Sequence, residues 1–150
     1  MNPLQLKCVN HLSLICSSVE KSLDFYHNLL GFVPVKRPES FKFIGAWLVG
    51  HGIGLHLLES EDPQPIKVKK EINPRDNHIS FQCLTNMSEL EKKLEELGIR
   101  FVKATVKEGE IEVHQVFFHD PDGYMVEICS CENFPVIPLA AAPSCSLPPQ

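Results

Sequence analysis

The chain has 150 residues, 43% of them apolar and 22% charged, and a formal net charge of -5. That length suits one domain with its own core and is too short for two independent ones. The acidic balance argues against phosphate-backbone binding, which needs clustered Lys and Arg, and no run approaches the roughly 20 apolar residues of a membrane span. The basic cluster Lys67-Val68-Lys69-Lys70 sits among acidic neighbours and reads as a solvated loop. The expectation is no nucleic-acid partner and no membrane partner.

Six cysteines (Cys8, Cys16, Cys83, Cys129, Cys131 and Cys145) form no C-x-x-C pair. Most lie inside apolar runs, where Cys acts as a small hydrophobe. Met1 to Lys7 offers no apolar leader, so a reducing, cytoplasmic location is expected.

The first element is a strand over 11–16. Leu12, Leu14 and Cys16 alternate with His11, Ser13 and Ile15, a pattern of period two with one buried face. Ser17 and Glu20 have the spacing of a capping box. Val19, Leu23, Tyr26 and Leu30 then recur at helical spacing, and Gly31 supplies the stop. Short apolar runs at 33–35, 41–43, 46–49 and 53–58 read as strands. A polar, Pro-containing connection covers 61–76.

The pattern then repeats. Asn77-His78-Ile79-Ser80-Phe81-Gln82-Cys83 matches Asn10-His11-Leu12-Ser13-Leu14-Ile15-Cys16, and the same offset pairs Leu23 with Leu90, Leu30 with Leu97 and Gly31 with Gly98. Asn86 and Glu89 take the capping positions, and Met87, Leu90, Leu94 and Leu97 form the apolar stripe. Strands follow at 100–104, 113–118 and 124–129, the last two joined by the turn sequence Asp120-Pro121-Asp122-Gly123. The expected fold is α+β, two βαβββ modules (5–60 and 77–131) curving a mixed sheet around a site within one domain, 5–131. Residues 132–150, rich in Pro and Ala, read as a disordered tail.

His11 and His78 hold equivalent places in the two first strands. Aligning Gly52-Ile53-Gly54-Leu55-His56-Leu57 with Gly123-Tyr124-Met125-Val126-Glu127-Ile128 matches His56 to Glu127. All four project from the face opposite the helix, and all four are metal-competent. Imidazole nitrogen with carboxylate oxygen suits Zn, Ni, Co, Mn or Fe, and the lack of a thiolate disfavours a structural zinc site. A lone strand His is more often a hydrogen-bonded core residue than a ligand; the fourfold equivalence is what favours His11, His56, His78 and Glu127 as ligands. His27 reads as solvated, His51 as a turn residue, Trp47 as core, and Cys129 as packing. His114, Gln115 and His119 are candidates to line a pocket.

Asn10-His11-Leu12-Ser13-Leu14, Ser22-Leu23-Asp24-Phe25-Tyr26 leading to Leu30-Gly31-Phe32, Asn77-His78-Ile79-Ser80, and Asp120-Pro121-Asp122-Gly123-Tyr124 leading to Glu127 together resemble the vicinal oxygen chelate superfamily. Within it the chain is similar to the glyoxalase I (lactoylglutathione lyase) family, in particular its plant glyoxalase-I-like branch. The resemblance implies a small-molecule substrate, a divalent metal ion, a homodimer, and isomerisation, through a metal-stabilised enediolate, of the hemithioacetal of a 2-oxoaldehyde and a thiol such as glutathione or of a related small oxygenated compound. It makes Glu127 the catalytic base. Departures from the family pattern are specific. His56 stands where a Glu is usual, Ile15 where a glutathione-binding Arg is usual, and Ser60 where an Asn is usual, while Arg75 lies one place out of register. The alternatives are another superfamily chemistry (a dioxygenase or a thiol transferase) and a non-catalytic small-ligand-binding protein.

Overall fold

The computed structural model describes residues 4–62 and 64–137; most of the tail expected to be disordered lies outside the described residues. A 3-10 turn spans Cys131–Asn133. The described chain divides into two compact units, residues 4–69 with 120–123 and residues 70–119 with 124–137.

The first unit contains β1 (His11–Cys16), α1 (Val19–Leu23) running on into a π-helical turn (Asp24–Leu29), β2 (Val33–Val35), β3 (Gly45–Gly50) and β4 (Ile53–Glu59). Its sheet has the order β1-β4-β3-β2, with β1 parallel to β4 and the other pairs antiparallel. The helix is capped by Ser18, not Ser17. Ser18 has extended backbone and its side chain accepts from the Lys21 N–H, while the Ser17 N–H is committed to Asp122 Oδ2 at 3.1 Å. A cap must immediately precede the first helical residue, and Ser17 stands one place early. The helix then widens, with the Leu30 N–H donating to the Phe25 carbonyl, five residues back. It ends at Gly31, whose φ is +78°.

Residues 41–43 form no strand, contrary to the pattern of their side chains. The Phe43 carbonyl, which a neighbouring strand would need, instead accepts from Arg37 Nη2 at 2.8 Å. Three strands therefore follow the helix, as a βαβββ module requires.

The second unit contains β5 (His78–Gln82), α2 (Met87–Glu96), β6 (Phe101–Glu108), β7 (Ile111–His119) and β8 (Met125–Cys129). Its order, β5-β8-β7-β6, repeats the first sheet. The Asn86 side chain caps α2 by accepting from the Ser88 N–H, and Gly98 at φ +68° closes it. The expected turn after β7 is present. Gly123 there has φ +86°, where a side chain would be strained, and a Cβ on it would crowd Val68 Cγ1 at 3.0 Å. Its neighbours Asp120 and Asp122 are buried, and Tyr26 donates its hydroxyl to Asp120 Oδ2 at 2.9 Å.

Strand alternation sorts the core as the sequence pattern requires. Leu14, Cys16, Leu48, Leu55 and Leu57 are buried in the first unit. In the second, Val116, Phe118 and Val126 are buried on the face opposite Glu127. Among the described residues no helix is long and apolar enough to cross a membrane.

Candidate metal centre

In the first unit β1 and β4 run in parallel with His11 beside Gly54 and Ser13 beside His56. His11 and His56 thus share the face turned away from the buried leucines. A Cβ at Gly54 would come within 3.1 Å of the His11 Cβ; the missing side chain gives His11 room to lean across β4. The two imidazoles stack, with centroids 4.1 Å apart and planes 19° apart. Trp47 lies directly opposite His56 on β3 and stacks on its other side at 4.2 Å and 4°. Trp47 is thus a stacking platform and not the simple core residue its type suggests.

His11 Nδ1 lies 2.7 Å from Asn10 Oδ1. The amide oxygen can only accept, so Nδ1 carries a proton, and in the neutral ring Nε2 is the nitrogen left with a lone pair. Burial first, and the neighbouring His11 charge second, lower the His56 pKa from its ordinary value. Both favour the neutral imidazole, the form that binds a metal.

The aromatic surface continues from Trp47 to Phe41 at 5.7 Å and on to Phe43. Over it lies Arg37, whose guanidinium carbon is 4.3 Å from the Phe43 ring centroid and 5.2 Å from that of Phe41. Its Nε is buried without a hydrogen-bond partner.

The second unit repeats the backbone register and changes the chemistry. His78 pairs with Met125 and Ser80 with Glu127, the same offset as in the first unit. Glu127 is only 4% exposed. Its Oε1 accepts from Gln115 Nε2 at 2.5 Å, and its Oε2 lies 3.2 Å from His78 Nε2. His78 Nδ1 is 2.7 Å from the Asp76 carbonyl, which fixes the proton on Nδ1 and aims the other nitrogen at the carboxylate. Phe117, opposite Glu127 on β7, meets the His78 ring edge-on at 5.5 Å.

Each unit therefore brings together two of the four residues singled out, His11 with His56 and His78 with Glu127. Of the trio near β7, Gln115 engages a site residue, whereas His114 is exposed beside Thr105 and Glu112. His27 binds the Phe32 carbonyl through Nδ1 at 2.6 Å; it fastens the helix end and is not merely solvated. His51 holds the Leu30 carbonyl at 2.8 Å from a turn with φ 51°. Sequence reasoning missed Arg37 and the stacking role of Trp47. Asn10 binds His11, whereas in the second copy of the Asn-His dipeptide the ring is held by the Asp76 carbonyl.

The cysteines depart from expectation at one place. Cys129 and Cys131 form a disulfide, although their spacing is not that of a C-x-x-C pair. The Ser130 N–H donates to the His114 carbonyl and Ser130 Oγ accepts from the His114 N–H. These bonds turn the chain at the end of β8 and fold Cys131 back onto Cys129. Cys16 is buried and Cys8 exposed.

Known proteins share this plan. "Glyoxylase I 4" of Arabidopsis thaliana is 57% identical over 147 residues, covering 97% of this chain and 84% of its own. "Metallothiol transferase FosB" of Shouchella clausii is 27% identical over 80% of this chain and 77% of its own. The crystal structure of a glyoxalase/dioxygenase from Nostoc punctiforme shares the fold, with a TM-score of 0.64 at 22% identity over 86% of this chain and 97% of its own. With residues 9–128 matching the family profile, the chain belongs to the Glyoxalase/Bleomycin resistance protein/Dioxygenase superfamily.

Proposed function

We propose that this protein is a glyoxalase-I-like metalloenzyme that isomerises the thiol adduct of a 2-oxoaldehyde. His11, His56, His78 and Glu127 are its metal ligands, and Glu127 moves the proton. The observation that carries the reading is the pair His78 Nε2 and Glu127 Oε2, 3.2 Å apart. Their companion atoms are already engaged, Nδ1 by Asp76 and Oε1 by Gln115. At that distance the two atoms can share a proton or flank a positive ion. Donors at about 2.0–2.2 Å from a divalent ion lie roughly 3 Å from each other, so the pair fits one. The relative named glyoxylase I, at 57% identity, supports the same reaction.

A divalent ion held by these residues would polarise the substrate's adjacent oxygens. The chain's own contributions are distinct from that. Asn10 and the Asp76 carbonyl fix the imidazole tautomers, and second-partner bonds of this kind hold ligands in place. Gln115 holds Oε1 of Glu127, so Oε2, the oxygen beside His78, would serve both the ion and, through its second lone pair, the proton taken from one carbon and returned to the next. Arg37, whose guanidinium lies over the Phe41 and Phe43 rings, seats a carboxylate of the thiol arm. It supplies the cation that Ile15 does not.

Metal analysis and turnover test this together. Wild type holds one ion per chain, and His56→Ala and Glu127→Ala each lose it; unchanged metal content in both variants would sink the four-ligand set. Stoichiometric metal without turnover of the methylglyoxal–glutathione adduct would sink the isomerase. Arg37→Met raises KM for the glutathione adduct by about tenfold, the equivalent of about 1.4 kcal/mol. It leaves KM for the adduct of an uncharged thiol unchanged; equal effects on both would remove the carboxylate seat. The reading extends to a cytosolic homodimer, which sedimentation of the full chain would reveal as twice the 16.9 kDa subunit.

A further inference from the structure

Among the described residues one group of three metal-competent side chains stands close together. A Glu127 carboxylate oxygen and the sulfurs of Cys129 and Cys131 all lie within 4.8 Å of one another. Strand alternation puts Glu127 and Cys129 on the same face of β8, and the Ser130 turn returns Cys131 to it. Cys129 is 4% exposed, and its sulfur accepts from Ser80 Oγ at 3.7 Å. Cys131 is partly exposed, so its sulfur is the one a dissolved thiol reaches.

The bond between them is a poor staple. A disulfide stabilises chiefly by closing a long loop in the unfolded chain, and here the partners are two residues apart. Disulfides in reducing compartments are typically transient or regulatory. Its position beside a buried carboxylate gives it something to regulate.

We propose that Cys129, Cys131 and Glu127 form a redox-controlled site for a thiophilic divalent cation, closed by the disulfide and opened by a low-molecular-weight thiol. The thiolate of the reductant attacks Cys131 Sγ, the protein S–S bond breaks, and Cys129 takes up a proton. A second thiol resolves the mixed disulfide. In sum two thiols give up two electrons and two protons to become one disulfide, and the protein gains two S–H groups. A soft cation of the Zn2+ or Cd2+ class then displaces both protons and is held by two sulfurs with one Glu127 oxygen. Since Glu127 is common to both sets, filling this site withdraws the carboxylate from the imidazoles.

The test uses the full chain, reduced with a phosphine, freed of reductant without air, and titrated with Cd2+. The readout is the ultraviolet charge-transfer absorption of cadmium thiolates. Reduced wild type develops the band, and protein reoxidised with diamide does not. Cys131→Ser and Glu127→Gln each weaken binding by about tenfold or more, the range for loss of a metal-site contact, while Cys83→Ser leaves it unchanged. His78→Ala keeps the band although it removes a ligand of the imidazole set, so failure of that set and failure of this site are read separately. No band in reduced wild type, the same band after reoxidation, or unaltered affinity in Cys131→Ser would each overturn the proposal.

Discussion

The two modules share a backbone and differ in what they place on it. Ser13 stands beside His56 as Ser80 stands beside Glu127, and Trp47 faces His56 as Phe117 faces Glu127. One strand position further out, Gln115 sits across from Cys129, while in the first module Gly45 sits across from Leu58. The carboxylate therefore has an amide donor and the imidazole has none. A buried carboxylate without donors is costly, whereas a neutral imidazole stacked between two rings needs little more than the stack. The difference at positions 56 and 127 thus follows from the residues around them.

Removing the carboxylate is the most severe way to break that comparison. Glu127→Gln keeps the volume and the contact with Gln115 but cannot take a proton. We expect kcat to fall by about 10²–10⁴, the usual contribution of a positioned base, with the fold intact by circular dichroism. A kcat within a factor of about three of wild type, too little for a base, would move the proton transfer to another group. Gln115→Leu is milder. It frees Glu127 Oε1 and loosens the ligand, and it should cost about 10–100-fold in metal affinity or activity. Equilibrium dialysis against the metal separates the two effects.

Making the modules chemically alike is the sharper experiment. His56→Glu would place a carboxylate against Trp47 with no counterpart to Gln115. A glutamine at position 45 cannot supply the donor, because a Cβ there would stand 2.5 Å from the Leu57 carbonyl oxygen. The site is partly exposed, so the expected loss of stability in metal-free protein is about 1 kcal/mol, the low end for an unsatisfied polar group. Urea unfolding measures it. A variant as stable as wild type would show that solvent replaces the amide.

How much of this was legible in the sequence follows the same division. The repeat and the strand parity that sets His11 beside His56 and His78 beside Glu127 could be read because each rests on spacing, which backbone geometry enforces. Residues 41–43 were misread because alternation of Phe and Lys looks like a strand whether or not a partner strand receives its carbonyls, and Arg37 took that of Phe43. Ser17 was mistaken for Ser18 because neighbouring serines are equal candidates until the backbone commits one N–H to Asp122. The Cys129–Cys131 bond depends on a turn made by Ser130 and His114, residues sixteen apart. Contacts between side chains distant in sequence leave no periodic trace, and Gln115 on Glu127 and Trp47 on His56 are both of that kind.

The smallest expected effect isolates the state of the imidazole in the first module. The His56 pKa lies below its ordinary 6.5 because the ring is buried and stands beside His11. Between the lowered value and 6.5 the unfolded chain binds a proton that the folded chain declines. Stability must then rise with pH across that interval, level off above 6.5, and be lost as pH falls through the folded value. Other groups titrate nearby, so the quantity to follow is the difference between metal-free wild type and His56→Gln in urea midpoint, measured from pH 7.5 downward. The wild-type curve should fall more steeply below about 6.5, the ordinary histidine pKa. Trp47, the single tryptophan, reports the same event locally, since its indole lies on the ring that gains the charge. Parallel midpoint curves would mean that the stack tolerates the imidazolium as well as the imidazole, and the lowered pKa of His56 would set nothing apart in the first module.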